Sequence, residues 1–556
     1  MSSVPAHTSV AIVGGGPNGI ALANLLGAYG VRTVVIERER EILEYPRAVG
    51  MDDEALRLFQ TVGLADALVQ EMIPNVPLRM FRADGHCFAD IRAATREFGW
   101  WRRNIFMQQI AEKTLRQGLA RYSHVTLRLG EEVTGLEQDD SGVTLQVRDA
   151  AGQTQSLRCD YCVAADGGRS PVRDMLGVKL LGKTHAIKWL VVDVRNAPLD
   201  APYTALNCDP RRPNVCIYLP YGYRRWEFMV FADEDEQAIA APESVRRLIA
   251  PYVKDPAAVE IVRARTYTHH SRVADRFLVG RVALVGDAAH LSPPWIGQGL
   301  NAGLRDVGNL AWKLAGIVHG QLRPAVLHTY PQERHQHAKA MIDLADVFGA
   351  LLMPTHRLKA WLRDAFFSAA RLLPGVRNYV LQMRFKPMPR MDEGVVVRPA
   401  GGPMVGRMLI QPDVLDAEGT RRKLDDVLGP WFALIGWQCD PQAALSPAER
   451  AAWQALGTRF VRIDRTCCGS APGQRMQAQP GTVCIEDVDN QFSDWIDAHG
   501  GGASNPVLLL RPDRYIAAQC DAADLAEVTR RFAAFTPASP ASQDQPDSGR
   551  EQRLAA

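Results

Sequence analysis

The spacing of hydrophobic and polar residues changes period several times along the chain. Residues 8–37 open with an apolar run, "TSVAIV", followed by the turn "GGGPNG", the helically spaced "IALANLLGAYG" and a second apolar run, "RTVVIE". Short apolar runs flanking a helical pattern predict one βαβ unit. Alternating helical and strand patterns continue to about residue 183, with "QQIAEKTLRQGLARY" as a helix and "SLRCDYCVAADGG" as a strand that ends in a turn. Between 189 and 270 the pattern becomes strand-like throughout. There "WLVVDV", "VCIYLP", "RRWEFMVF" and "VEIVRARTYTHH" are rich in β-branched and aromatic residues and are separated by Pro/Gly turns, which predicts a mainly antiparallel sheet.

From residue 281 the βα pattern resumes with "RVALVGD", and helical spacing runs from about 299 to 383. The first domain is therefore expected to be discontinuous, 1–183 with 271–385, and interrupted by a sheet domain over 184–270. Beyond "KPMPR" and "VVVRPAGGP" a further α/β segment is expected over 400–535, with "WFALIGW" and "PVLLLRPDRYIAA" as its clearest strands. The residues from 536 to 556 are of low complexity and are expected to be a disordered tail. The predicted class is α/β, with an α+β sheet domain inserted; no internal repeat is visible.

Composition narrows the partners. In 556 residues, 64 basic and 62 acidic side chains are mixed throughout for a net charge of +2, so no basic face argues for nucleic acid or an anionic membrane. The expected partner is a small molecule. The apolar run "SVAIVGGGPNGIALANLLGAYG" is broken by glycines and a proline, lacks a positively charged start and is too interrupted for a membrane span, so a cytoplasmic location is expected. Ten cysteines lie without CxxC spacing or paired histidines, and the adjacent Cys467 and Cys468 suit neither a disulfide nor a metal. No metal site is expected.

The first chemical motif is Gly14-x-Gly16-x-x-Gly19, directly after a strand and before a helix, with Glu37 closing the next strand. Gly14 permits the tight turn, Gly16 lets backbone approach a pyrophosphate, and Gly19 lets helix meet strand. Gly15, Pro17 and Asn18 complete the turn, and Glu37 with Arg38 faces a ribose. This motif serves NAD and FAD alike. The stretch "GDAAHLSPPWIGQGLN" separates them, because a second nucleotide-contacting acid, Asp287, about 250 residues after Glu37 suits a long, two-ended cofactor. Gly286 and Asp287 end a strand where a carboxylate reaches a ribityl chain. Gly297, Gln298, Gly299, Leu300 and Asn301 start a helix whose N–H groups meet the flavin pyrimidine edge.

With these motifs in this order, the chain resembles the class A flavoprotein aromatic hydroxylases. The resemblance also covers "AADGGRS" with Asp166 and Gly167, Arg47 in "YPRAVGMDDEAL" and Gln108 in "NIFMQQ", each matching a family flavin-side position. Runs such as "EFGWWRRN", "YTHHSRVADRF" and "MRFKPMP" look like the branch that acts on 3-(3-hydroxyphenyl)propionate and 3-hydroxycinnamate. The resemblance implies bound FAD, NADH as a transient co-substrate without its own Rossmann domain, O2 as oxidant, and ortho-hydroxylation to a 2,3-dihydroxy product in aromatic catabolism. It further implies a thioredoxin-like C-terminal domain without CxxC, and a homodimer. One departure is Asp306-Val307, where the family often has Asp-Ala.

Pro293 and Pro294 lack N–H donors and are expected to wall the reaction site. Candidates for the base that takes the phenolic proton are His290, His269, His270, Tyr267 and Tyr218. A propionate asks for a guanidinium fork, for which Arg211, Arg212, Arg224, Arg225 and Arg272 are available, Arg211 and Arg225 foremost. Tyr218 and Trp295 are the aromatic residues expected near substrate, and whether Trp295 shapes the pocket or only packs stays open. A flavin dehydrogenase or halogenase would share the first motif, but no WxWxIP-like run is present. A non-enzymatic scaffold would have lost these glycines or Asp287.

Overall fold

The structure is a computed structural model, and it describes residues 7–45, 47–92, 95–370, 390–398, 402–465, 478–501 and 505–537. Strand β1 (His7–Val13) is buried on both faces over its last four residues, as a central parallel strand must be. It runs into helix α1 (Pro17–Ala28), capped by Gly16 with no side-chain cap and no acid in its first turn, so the leading N–H groups stay free for an anion. Strand β2 (Thr33–Glu37) pairs parallel with β1 on one side, and the strand Thr154–Ala164 pairs parallel on the other. The strand Val282–Leu284 joins Thr154–Ala164 in parallel. The return of the first domain after residue 281, read from the apolar pattern, is thus a strand added to the same sheet.

The second sheet has eight strands in the order 290–291, 260–274, 180–195, 223–230, 214–218, 204–207, 78–81 and 87–91. It is larger than the span 184–270 predicts. The strand Leu78–Phe81 pairs parallel with Thr204–Asn207, and its hairpin partner Cys87–Ile91 closes the edge, so the chain crosses into this sheet before the long antiparallel strands begin. Side chains alternate across the sheet. Trp226, Phe228 and Val230 pack with Leu190, Val192 and Val194 on one face, covered by Val245 and Ile249 of the helix Pro242–Ile249. Arg225, Glu227 and Met229 point to the opposite face, beside Trp189, Val191 and Asp193.

The chain divides into two compact units. The first, built from 1–312, 330–390 and 410–412, holds both sheets described above. The second, from 313–329, 391–409 and 413–556, holds a seven-stranded sheet in the order 421–423, 413–415, 482–487, 459–465, 433–437, 507–510 and 516–520. Its centre is parallel and its 507–520 edge is a hairpin, so the run "PVLLLRPDRYIAA" is two strands folded at Pro512-Asp513, where a single strand had been expected. The helix Pro447–Ala455 starts at a capping box between Ser446 and Glu449. Cys467, Cys468, "MRFKPMP" and the tail beyond 537 lie outside the described residues. The eight described cysteines are free thiols, and no described helix is long and apolar enough to cross a membrane.

Candidate active site

A cleft of two chambers runs through the first unit. The first, about 380 Å³, is lined by Gly14, Gly15, Gly16, Glu37, Arg38, Arg116 and Asp166. Gly14 has φ +106, and a Cβ there would sit 2.4 Å from the carbonyl oxygen of Ala165, so only glycine fits. Gly16 is glycine for the opposite reason: a Cβ on it would meet nothing within 4 Å and would intrude on open space in front of α1. Glu37 Oε2 accepts from the Gly15 N–H at 2.6 Å, and Oε1 accepts from the Glu39 N–H at 2.8 Å. The acid that closes β2 therefore also fixes the glycine turn. Arg116, which the sequence reading passed over, donates to the Gly15 carbonyl at 3.3 Å.

The second chamber, about 430 Å³, shares Gly16, Arg47, Ala165 and Gly167 with the first and continues past Pro17, Asn18, Gln108, Asp287 and the segment 294–301. Asp287 is exposed to it and accepts no hydrogen bond from the described residues. Its loop is held from beneath by Asp306, which takes the Gly286 N–H at 3.0 Å, His290 Nε2 at 2.7 Å and Arg334 Nε at 2.9 Å. Burial pushes the Asp306 carboxyl up, but His290 and Arg334 outweigh it and hold the group below its ordinary value. Asn301 secures the helix start, taking the Asp52 N–H at 3.1 Å and donating to the Gly297 carbonyl at 2.9 Å. Gln298 accepts from Arg305 at 3.0 Å, and Gln108 bridges the Ala48 N–H and Glu112.

These residues fit a dinucleotide flavin. The start of α1, which has no side-chain cap, the free Asp287 carboxylate and the open space in front of Gly16, Gly297 and Gly299 border the two joined chambers, and Asn18 Oδ1 is buried beside them with no partner among the described residues. Asp52, Asp53 and Glu54 come close enough together to suggest a cation, but Arg305 pairs with Asp52 and Glu54, and Arg102 with Asp53. The acids already have their counter-ions.

Farther in, the second chamber is walled by the sheet face and by helix residues: Leu78, Met80, Leu206, Val215, Phe348 and Leu352. Four polar side chains interrupt this apolar wall: Arg103, Thr204, Arg225 and Glu227. Arg103 donates to the carbonyls of Val76 and Pro77 at 3.0 and 3.1 Å and to Thr204 Oγ1 at 2.8 Å. It has no carboxylate partner among the described residues, and burial pulls its guanidinium down to about 10. Arg225 is already neutralised, gripping Asp193 at 2.8 and 3.1 Å and donating to the Arg47 carbonyl at 2.9 Å.

Several expected site residues stand elsewhere. His290 is 2% exposed and bonded to Asp306, so it braces the Gly286-Asp287 loop and is not a base in the cavity. Arg211 is 76% exposed on its side chain and bound to Asp209, away from the cavity. Arg212 pairs with Glu234, Arg224 holds the Ala201 and Leu199 carbonyls, and Arg272 donates to Thr184. Tyr218 lies under Arg224, Tyr267 is bonded to Arg263, and His270 meets Thr184 at 3.0 Å. Pro294 lines the chamber, whereas the buried Pro293 sits behind it. Trp295 lines the chamber and packs edge-on against Trp189 at 4.7 Å. His269 stacks on Trp189 behind that wall, and burial pulls its imidazole down to about 4.

A family model described as an FAD binding domain matches residues 7–345. The chain belongs to this FAD-binding family, the class A flavin monooxygenases, and is an FAD-dependent hydroxylase by class. A second model, the HcaD C-terminal domain, matches 406–535. The chain is 68% identical to the 3-(3-hydroxy-phenyl)propionate/3-hydroxycinnamic acid hydroxylase 2 of Burkholderia vietnamiensis, covering 96% of this chain and 97% of that one. It is 41% identical to the hydroxylase of the same name from Paraburkholderia xenovorans, over 96% and 92% of the two chains. Among solved structures, the flavin-dependent monooxygenase PieE in complex with FAD and substrate superposes with a TM-score of 0.78 at 24% identity, covering 95% of this chain and 99% of that chain.

Proposed function

We propose that this protein hydroxylates 3-(3-hydroxyphenyl)propionate and 3-hydroxycinnamate ortho to the phenol oxygen, consuming NADH and O2 and giving the 2,3-dihydroxy acids. The observation that supports this reading is Arg103, a partly buried guanidinium without a carboxylate partner among the described residues, set among the apolar residues of the inner wall of the second chamber. A cation taken from water without a counter-ion is costly, and a ligand carboxylate offsets that cost. The relatives named for phenolic acids carrying a three-carbon acid chain supply such a ligand.

When bound, FAD reduced by NADH supplies the electrons that activate O2 for transfer of one oxygen atom to the ring. The first chamber would hold its adenosine half, with the α1 N-terminus toward the pyrophosphate and Glu37 and Arg38 beside the ribose. Asp287 would take the ribityl hydroxyls, and the N–H groups of 297–301 would meet the pyrimidine edge, where they favour negative charge without reorganising. Arg103 and Thr204 hold the acid chain of the substrate, while the apolar sheet face and Trp295 clamp the ring and exclude water. Pro294 adds a stiff wall with no N–H to compete for the reacting atoms.

The test is purification of the protein, measurement of bound FAD, and parallel assays of NADH oxidation, O2 uptake and product identity with 3-(3-hydroxyphenyl)propionate. One dihydroxy acid per NADH is the expected result. NADH consumption that yields only peroxide would reject this substrate, and a preparation that binds no FAD would overturn the whole reading.

A further inference from the structure

Among the described residues, Glu227 is the acid of this sheet face that lines the cavity; Asp193, on the same face, is held behind Arg225. Glu227 sits on the strand Tyr223–Val230, opposite Val215 on one neighbouring strand and Val191 on the other, so its lateral neighbours on the sheet are apolar. The side chain is 12% exposed, and it lines the chamber. Its nearest cation is Arg225 at 4.0 Å, a guanidinium already committed to Asp193 at 2.8 Å. Glu227 accepts no hydrogen bond from any described residue. A carboxylate in such a place is costly to keep unless something entering the cavity gives it a donor.

We infer that Glu227 accepts the phenolic proton of the substrate. This rests on the proposed function. The O–H bond of the phenol breaks, its electron pair stays on the phenol oxygen, and the proton forms the carboxylic acid of Glu227. No redox change accompanies the transfer; when the ring regains aromaticity the ortho C–H bond breaks, its proton leaves to water, and Glu227 returns its own proton to the phenol oxygen. The electron-rich phenolate raises the nucleophilicity of the ortho carbon at the moment oxygen arrives.

The spacing agrees with this role. Leu206 is in register with Glu227 through Val215, so Thr204, which accepts from Arg103, lies two strand spacings across and two residues along the sheet from Glu227, about 12 Å. An aromatic ring with a three-carbon acid chain bridges such a gap, carboxylate to Arg103 and hydroxyl to Glu227. The other charged groups facing the cavity are Arg47, Asp52, Arg102, Arg103, Arg225 and Asp287, with Asp193 behind Arg225; the strand Asn214–Tyr218 adds no charge. Asp52 and Arg102 are ion-paired, and Asp287 lies on the loop assigned to the ribityl chain. Burial pushes Glu227 above the ordinary carboxylate value, Arg225 pulls it back and Asp193 adds to the rise, so it is a better proton acceptor than an exposed glutamate.

The experiment compares wild type, Glu227→Gln and Glu227→Asp, each loaded with FAD, on 3-(3-hydroxyphenyl)propionate and on a ring-fluorinated analogue whose phenol is more acidic. The expected result is a loss of about 10² or more in product formation for Glu227→Gln. Product formed per NADH consumed should fall with it, and the fluorinated substrate should recover much of the rate. The wild type and Glu227→Asp should show an acid limb in kcat/KM, lying above the ordinary carboxylate range in the wild type, that Glu227→Gln lacks. A Glu227→Gln enzyme within threefold of wild type overturns the inference, and so does one equally slow on both substrates. If the wild type itself hydroxylates neither phenol, the proposed function fails instead.

Discussion

At the scale of single residues, the cavity is divided between groups that are already satisfied and groups that are not. Asp193, Asp52 and Glu54 have their cations, whereas Asp287, Arg103 and Glu227 face open space. Replacing Asp287 by Ala should weaken FAD retention and hydroxylation together, read as flavin content after gel filtration and as turnover; unchanged values for both would remove its assigned role. Arg103→Met should act differently. A hydrogen bond to a charged group contributes ~1.5–3 kcal/mol, so KM for the phenolic acid should rise roughly 10- to 150-fold. KM for a neutral phenol such as 3-ethylphenol should stay put. A uniform loss on both substrates would mean that Arg103 only ties the strand ends together.

At the scale of elements, the loop carrying Asp287 depends on Asp306 twenty residues later in the chain. Asp306 is fully buried and joins Gly286, His290 and Arg334, and removing one partner of such a buried ionic cluster costs ~3–5 kcal/mol. Asp306→Ala should therefore lower the melting temperature and release FAD. The pH dependence follows from the direction of its shift. The folded carboxyl lies below its unfolded value, so its contribution is complete above the ordinary carboxylate range and is lost as pH falls through the folded value. Wild type should lose stability on that acid side faster than Asp306→Ala, as thermal melts across the range would show.

What the sequence disclosed follows from how local each signal is. The βαβ unit, the glycines of the first turn and the Gly286-Asp287 loop were legible because turn chemistry and strand period lie within a few residues. Arg103 was not, because its role depends on Leu78–Phe81 pairing with Thr204–Asn207, a contact no local pattern reports. His290 stood among the candidate bases for the same reason: Asp306, sixteen residues on, becomes its partner only after a helix folds back. Glu227 is not among the sequence candidates, although period-two alternation within "RRWEFMVF" sets it on the face of Arg225 opposite Trp226 and Phe228. Which face is the cavity face needed the second chamber.

For the whole molecule, the second unit draws in a segment from the middle of the chain. Leu322, Val326 and Leu327 are buried, Arg323 N–H donates to the Phe535 carbonyl at 2.9 Å, and Gln321 reaches the Leu456 carbonyl at 3.3 Å. Cutting the chain after Arg390 would strip those partners and expose three aliphatic side chains. Such a truncation should be poorly soluble or melt well below the full chain, even though every cavity residue named above precedes the cut; a soluble fragment of unchanged melting temperature would contradict it.

The two chambers meet at Gly16, Arg47, Ala165 and Gly167, and this common border has a consequence for how the enzyme can be altered. A change at the border falls midway along the flavin that the two chambers are assigned to hold, so gains in substrate range made there come with losses in flavin binding. The far wall is free of that linkage. Leu78, Met80, Leu206, Val215, Phe348 and Leu352 touch only the inner chamber, and they are where a new aromatic acid can be accommodated while the flavin end stays as it is.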